Sequence, residues 1–136
     1  MPGKISILMV SGTIDKLMAG AVITSGAVAN DMEINVFFSF FGLLNLKKDN
    51  SFPQTLSYEG VPMTDQMMKV LKEKNVPSWL DMLKNAKETG NVKVYGCALM
   101  ADLLGVKKED LDPIVDDIVG VGEFVSMAEG GQILFI

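Results

Sequence analysis

Residues 92–105, Val-Lys-Val-Tyr-Gly-Cys-Ala-Leu-Met-Ala-Asp-Leu-Leu-Gly, change their period half-way along. Val92, Val94 and Gly96 alternate with Lys93 and Tyr95 as in a strand. From Ala98 the apolar spacing turns helical, through Leu99, Met100, Leu103 and Leu104, and Gly105 supplies a stop. The cysteine of the chain, Cys97, stands at the turn between the two, and Gly96 lets the backbone bend tightly just before it. The first N–H groups of such a helix lack intrahelical partners and direct partial positive charge outward, which favours an anion such as a thiolate.

The same alternation extends on both sides. Towards the N-terminus, Ile5, Ile7, Leu8, Met9 and Val10 form a dense apolar run closed by Ser11-Gly12-Thr13, as expected of a strand buried on both faces of a parallel sheet. Ile14, Leu17, Met18, Ala21, Val22, Val28 and Ala29 then fall at helical spacing, with Thr13 as N-cap and Asp15 in the first turn, where its charge suits the helix dipole. The run 34–41, rich in strand formers, reads as a second strand ending at Gly42. No period persists over 43–62, and the tail of that segment, from Lys47 through Pro53 onward, reads as a long loop. Thr64 begins a helix to about Asn75. Pro77 breaks the pattern, Ser78 to Asp81 restarts it as a capping box, and Gly90 stops it.

Beyond Gly105 the chain has a solvated charged turn at Lys107 to Asp110, ended by Pro113, and a short strand over 115–119. Gly120 and Gly122 lead into a helix around 123–129 with Phe124, Val125 and Met127 or Ala128 facing inward. Gly130 and Gly131 end that helix, and 132–136 is a last strand. These elements predict an α/β fold, a three-layer sandwich around a mainly parallel five-stranded sheet. The expected organisation is one domain over 1–136, with a loop and helical insertion at about 43–90.

Composition narrows the function classes. The 136 residues are 49% apolar with a net charge of −5 and no dense basic stretch, which argues against nucleic acid as a partner. The absence of histidine excludes Ser-His-Asp and Cys-His arrangements and most zinc sites, and no metal or other cofactor is expected. A single cysteine forms no internal disulfide and fits a reducing, cytoplasmic setting. The uncharged pieces 17–30 and 34–46 are shorter than the roughly 18 residues a spanning helix needs, and the N-terminus lacks the apolar core of a signal peptide, so no membrane insertion is expected.

In parallel sheets the ligand site lies beyond the C-terminal strand ends. Ser11-Gly12-Thr13, Phe40-Phe41-Gly42 and Gly96-Cys97-Ala98 all fit that description, placing a thiol beside small loops and an aromatic wall. By position alone Cys97 stays open between a reactive thiol and a small buried apolar residue.

The Phe-Phe-Gly-Leu of 40–43 and the Gly-Cys-Ala-Leu-Met-Ala-Asp-Leu-Leu-Gly-Val of 96–106 resemble the DsrE/DsrF-like family, nearest to its soluble branch often labelled peroxiredoxin-like. The resemblance runs over nearly the whole chain, including Asp15, Asp102, Gly105 and the turn Gly120-Val121-Gly122. Phe41 stands where relatives often have Trp, and Ala101 where Ser is frequent. The resemblance implies assembly as a trimer or hexamer and sulfane sulfur carried on Cys97. The donor would be a small TusA-like sulfur carrier protein or a rhodanese-like protein. Backbone N–H groups of Ala98 and Leu99 would stabilise the sulfur anion, Gly12 and Thr13 could add donors, and Asp102 would tie a neighbouring loop. Peroxidase activity fits less well, because the chain has no second cysteine for resolution. The other reading is a noncatalytic oligomeric binding or assembly module with a silent cysteine. Ser11-Gly12-Thr13 lacks the nucleotide-binding patterns.

Two further features carry no firm functional sign. Met63, Met67, Met68 and Met82 with Trp79 could line a pocket or docking surface, although methionines at helical spacing more often pack. Leu43, Leu44 and Leu46 beside a loop favour an oligomer that hides them.

Overall fold

In the computed structural model, which describes residues 3–136, five strands are joined by six α-helices, three of them in succession between the second and third strands. The strands are β1 (Lys4–Met9), β2 (Glu33–Phe38), β3 (Asn91–Cys97), β4 (Asp117–Val119) and β5 (Gln132–Phe135). The helices are α1 (Ile14–Ala29), α2 (Phe40–Leu44), α3 (Thr64–Glu73), α4 (Trp79–Thr89), α5 (Ala98–Leu104) and α6 (Val121–Ala128). The sheet order is β4-β3-β2-β1-β5 and every pair is parallel.

A parallel sheet is covered by helices on both faces, and β2 at its centre shows how. Successive strand residues point to opposite faces. Phe37 stacks on Phe124 of α6 with ring centroids 4.7 Å apart, while its neighbour Phe38 meets Trp79 of α4 at 6.1 Å. One dipeptide thus joins both helical layers: α1 and α4, packed on each other, on one side, and α6 on the other. Truncating either ring would cost about 3–5 kcal/mol. The few polar groups in the sheet centre are satisfied, with Asn35 Nδ2 donating to Ser6 Oγ across the β1–β2 register at 3.3 Å.

Local chemistry explains the element ends. Ser78 Oγ accepts the Asp81 N–H at 3.1 Å and starts α4, as expected of an N-cap. At the end of α5, Gly105 takes a φ of +65°, the Val106 N–H returns to the Ala101 carbonyl at 2.8 Å, and the Gly105 N–H returns to Asp102 at 3.3 Å. That is a Schellman closure, with buried Val106 as its apolar anchor.

Three sequence expectations change. The second strand stops at Phe38 instead of running to Gly42, and Phe40–Leu44 is a turn of helix. The chain leaves the sheet there because Ser39 N–H bonds to the Met9 carbonyl and Gly42 N–H to the Val10 carbonyl, both on the neighbouring strand end. In α6 the inward residues are Phe124 and Ala128, whereas Val125 is 56% exposed, because the helix turns a different face to β1 and β2. The fourth strand begins at Asp117, since Asp116 is engaged elsewhere: its Oδ2 accepts the Val94 N–H at 2.8 Å and pairs with Lys87 at 2.5 Å. Among the described residues no helix is long and apolar enough to cross a membrane.

Candidate functional site

Cys97 is the last residue of β3 and the N-cap residue of α5, at extended φ and ψ of −75° and 119°. Its neighbours across the sheet are set by register: Cys97 opposite Val119 of β4, and Gly96 between Phe38 of β2 and Ile118 of β4. The thiol is recessed, with the residue only 6% exposed. Gly96 is small for a reason of packing, since a β-carbon there would lie 3.2 Å from Leu43 Cδ1 of α2. Leu43 is completely buried and closes the strand end beside the cysteine.

The loop after β1 meets the same short helix from its other end. A β-carbon on Gly42 would come within 2.6 Å of the Met9 carbonyl oxygen, so α2 sits directly on the end of β1. The Gly12 carbonyl accepts from Asn45 Nδ2 at 2.8 Å, and the Thr13 hydroxyl lies 3.0 Å from Ser11 Oγ. Thr13 is the N-cap residue of α1 by backbone, but its hydroxyl caps no N–H of the helix.

The predicted site residues therefore form two groups. Gly12, Thr13, Phe41 and Gly42 cluster at the end of β1, while Gly96, Cys97, Ala98 and Leu99 form the turn after β3. Strand β2 lies between them, a distance of two strand spacings or roughly 10 Å. Helix α2 bridges the gap, with Gly42 seated on β1 and Leu43 on β3.

Around the recessed thiol the outer surface is apolar. Phe40, Phe41, Leu99, Leu103 and Leu104 on α2 and α5 are all exposed, and the Phe41 ring is 6.0 Å from that of Phe52. Phe40 has a φ of +45°, unusual for an aromatic residue, at the turn between β2 and α2. Asp102 is exposed and its carboxylate has no hydrogen-bond partner among the described residues, so the expected loop tie is absent.

The carboxylate that does tie a loop is Asp15. Its Oδ1 accepts the Ser57 N–H at 2.9 Å and its Oδ2 the Ser57 hydroxyl at 2.5 Å. Burial works against the charge, but the bonds from Ser57 and Thr13 prevail and hold the carboxyl below its ordinary value. Sequence reading placed Asp15 in the first turn of α1 but gave no sign of a partner 42 residues away. Among the described residues no group of three His, Cys, Asp or Glu side chains is arranged to hold a metal.

The chain matches a family model described as DsrE/DsrF/DrsH-like over residues 2–68 and 53–136. It belongs to that family. This DsrE-like chain is 32% identical to the uncharacterized protein YrkE of Bacillus subtilis, covering 98% of this chain and 96% of that protein. It is 27% identical to the sulfur carrier protein DsrE2 of Allochromatium vinosum, covering 79% of this chain and 81% of that one. Two solved structures share the DsrE-like fold. One is MTH1491 of Methanobacterium thermoautotrophicum, a protein of unknown function, with a TM-score of 0.61 and 16% identity over 98% of this chain and 99% of that one. The other is the ychN protein of E. coli, with a TM-score of 0.62 and 14% identity over the same shares.

Proposed function

We propose that this DsrE-like chain carries sulfur on Cys97 and hands it to a partner thiol. The supporting observation is that its one thiol lies at the C-terminal strand end, on the first turn of a helix and behind an apolar rim. Membership of the family and similarity to a protein named as a sulfur carrier point the same way.

In the loading step, the Cys97 thiolate attacks the terminal sulfur of a donor persulfide. A new S–S bond forms at Cys97, the donor S–S bond breaks, and the donor leaves as a thiolate. Delivery is the same exchange in reverse sense, with the acceptor thiolate attacking the outer sulfur and Cys97 leaving. Neither step needs a net oxidant or a metal. The N–H groups of Ala98 and Leu99 are the proposed donors to the sulfur anion, and Gly96 leaves the room that Leu43 fills beside them. Gly12, Thr13, Phe41 and Gly42 are the proposed flank of the substrate approach, with Phe41 on the outer surface. A small TusA-like carrier or a rhodanese-like protein is the proposed donor, and a cytoplasmic trimer or hexamer the proposed form.

Burial of Cys97 supports the competing reading, a binding module in which the cysteine only packs. Intact-protein mass after incubation with polysulfide, thiosulfate or tetrathionate separates the two. A reductant-labile gain of sulfur or thiosulfonate, absent in Cys97→Ser, supports the carrier. No adduct, together with no alkylation of the folded protein, leaves the module.

A further inference from the structure

On the layer formed by α1 and α4 lies a cavity of about 410 Å³, separate from the turn that holds Cys97. Its volume falls in the range of small-molecule sites. The walls are apolar, made by Ile14 and Met18 of α1, Met68 and Leu71 of α3, and Trp79 and Leu80 of α4. Of Met63, Met67, Met68, Met82 and Trp79, which could line a pocket or pack, Met68 and Trp79 line this cavity, and Trp79 also packs on Phe38.

The polar groups at this cavity share one character. The amides of Asn45 and Gln54 face it, joined by a bond from Gln54 Nε2 to Asn45 Oδ1 at 2.8 Å. Lys72 stands on the wall and has no ion-pair partner among the described residues. Trp79 is 94% buried by its 6% exposure, yet its indole N–H has no hydrogen-bond partner and is not sealed from solvent. Trp79 is also one of the residues that line the cavity. Ser78, Trp79 and Leu80 also bring the N-terminus of α4, an eleven-residue helix, to the wall, with its partial positive charge.

No Asp or Glu lines this cavity, although the chain has 17 acidic residues and a net charge of −5. Four further hollows among the described residues each include at least one carboxylate. An apolar hollow with a free lysine, a free indole N–H and a helix N-terminus suits one chemical class. We infer that it binds an organic monocarboxylate with an aliphatic body, the acyl chain against Met18, Met68 and Leu71 and the carboxylate towards Lys72 and the Trp79 N–H. The charge-assisted bond selects the acid over its neutral analogue. This site does not depend on the sulfur chemistry of Cys97.

Trp79 is the single tryptophan of the chain, so its fluorescence reports this cavity directly. Octanoate titrated into the full chain, with calorimetry alongside, should give a saturable fluorescence change and a dissociation constant of about 1 mM or below. Octanol should bind at least about tenfold more weakly. Lys72→Met should weaken octanoate about tenfold and leave octanol unchanged, and Leu71→Glu should abolish octanoate binding. Helix α3 buries no residue, so both variants keep the core. Cys97→Ser should bind as the parent does, which keeps this result apart from the fate of the carrier reading. No saturable response, equal binding of octanoate and octanol, or an unchanged octanoate affinity in Lys72→Met overturns the inference.

Discussion

The carbonyl oxygen of Phe41 stands 2.5 Å from the point a β-carbon on Gly12 would occupy. Real β-carbons do not approach backbone so closely, and the Phe52 ring, at 2.8 Å, closes the other side. Gly12→Ala must therefore push α2 away from β1, at a cost of about 2 kcal/mol. Gly26, exposed within α1 with nothing inside 4 Å of its β-carbon position, is the internal control. Gly26→Ala should stabilise by about 0.5–1 kcal/mol through helix propensity. Urea denaturation of both variants should show shifts of opposite sign.

At the far end of the cysteine helix, Gly105 has open space around it but a φ of +65°. Its need for glycine comes from the backbone alone, so Gly105→Ala should cost about 1 kcal/mol. Amide exchange should speed up at Gly105 and Val106, whose N–H groups close the helix. Unchanged exchange there would contradict the closure described above.

Asp116 links three elements, accepting the Val94 N–H and pairing with Lys87. Burial disfavours its charge, yet the bonds from Lys87 and Val94 and the lysine charge prevail, holding the carboxyl below its ordinary value of 3.8. A carboxyl lowered in the folded state adds stability that is complete above the unfolded value and vanishes as pH falls through the folded one. Asp116→Asn should thus be less stable than the parent by about 1–2 kcal/mol at pH 7. The difference should shrink as pH falls below 3.8, which denaturation midpoints at neutral and acid pH would read out.

Phe41 is 56% exposed, and its ring lies 6.0 Å from that of Phe52. Phe41→Ala should change stability by no more than about 0.5 kcal/mol. If the apolar rim receives a donor protein, transfer from a persulfidated donor should slow by about tenfold, the loss of a few tens of Å² of apolar contact. Loading by small polysulfide should be unaffected. Equal slowing of both would place Phe41 at the thiol and not at the docking surface.

How much of this was legible without coordinates varied by element. Dense apolar runs such as Ile5 to Val10 have no polar face to show, and that absence itself marks a strand buried on both sides, as β1 proves to be. Ser78 and Gly105 act within their own turns, so their capping roles were readable from local sequence. The run 34–41 was not readable to its end, because its six apolar residues, interrupted only by Asn35 and Ser39, carry no period that separates strand from helix.

From the sequence by itself came the order of the five strands, every helix but α2, and the position of Cys97 at a strand-to-helix turn, because each depends on neighbours a few residues apart. Tertiary structure alone decided that β2 ends at Phe38, where backbone groups of the neighbouring β1 end capture Ser39 and Gly42. It also decided that Asp15, not Asp102, ties a loop, and that Met68, Lys72 and Trp79 share a cavity wall with Asn45 and Gln54. The reason is physical: capping and periodicity are local and written in short spacings, whereas hydrogen-bond partners and cavity walls are set by which distant segments the assembled sheet brings into contact.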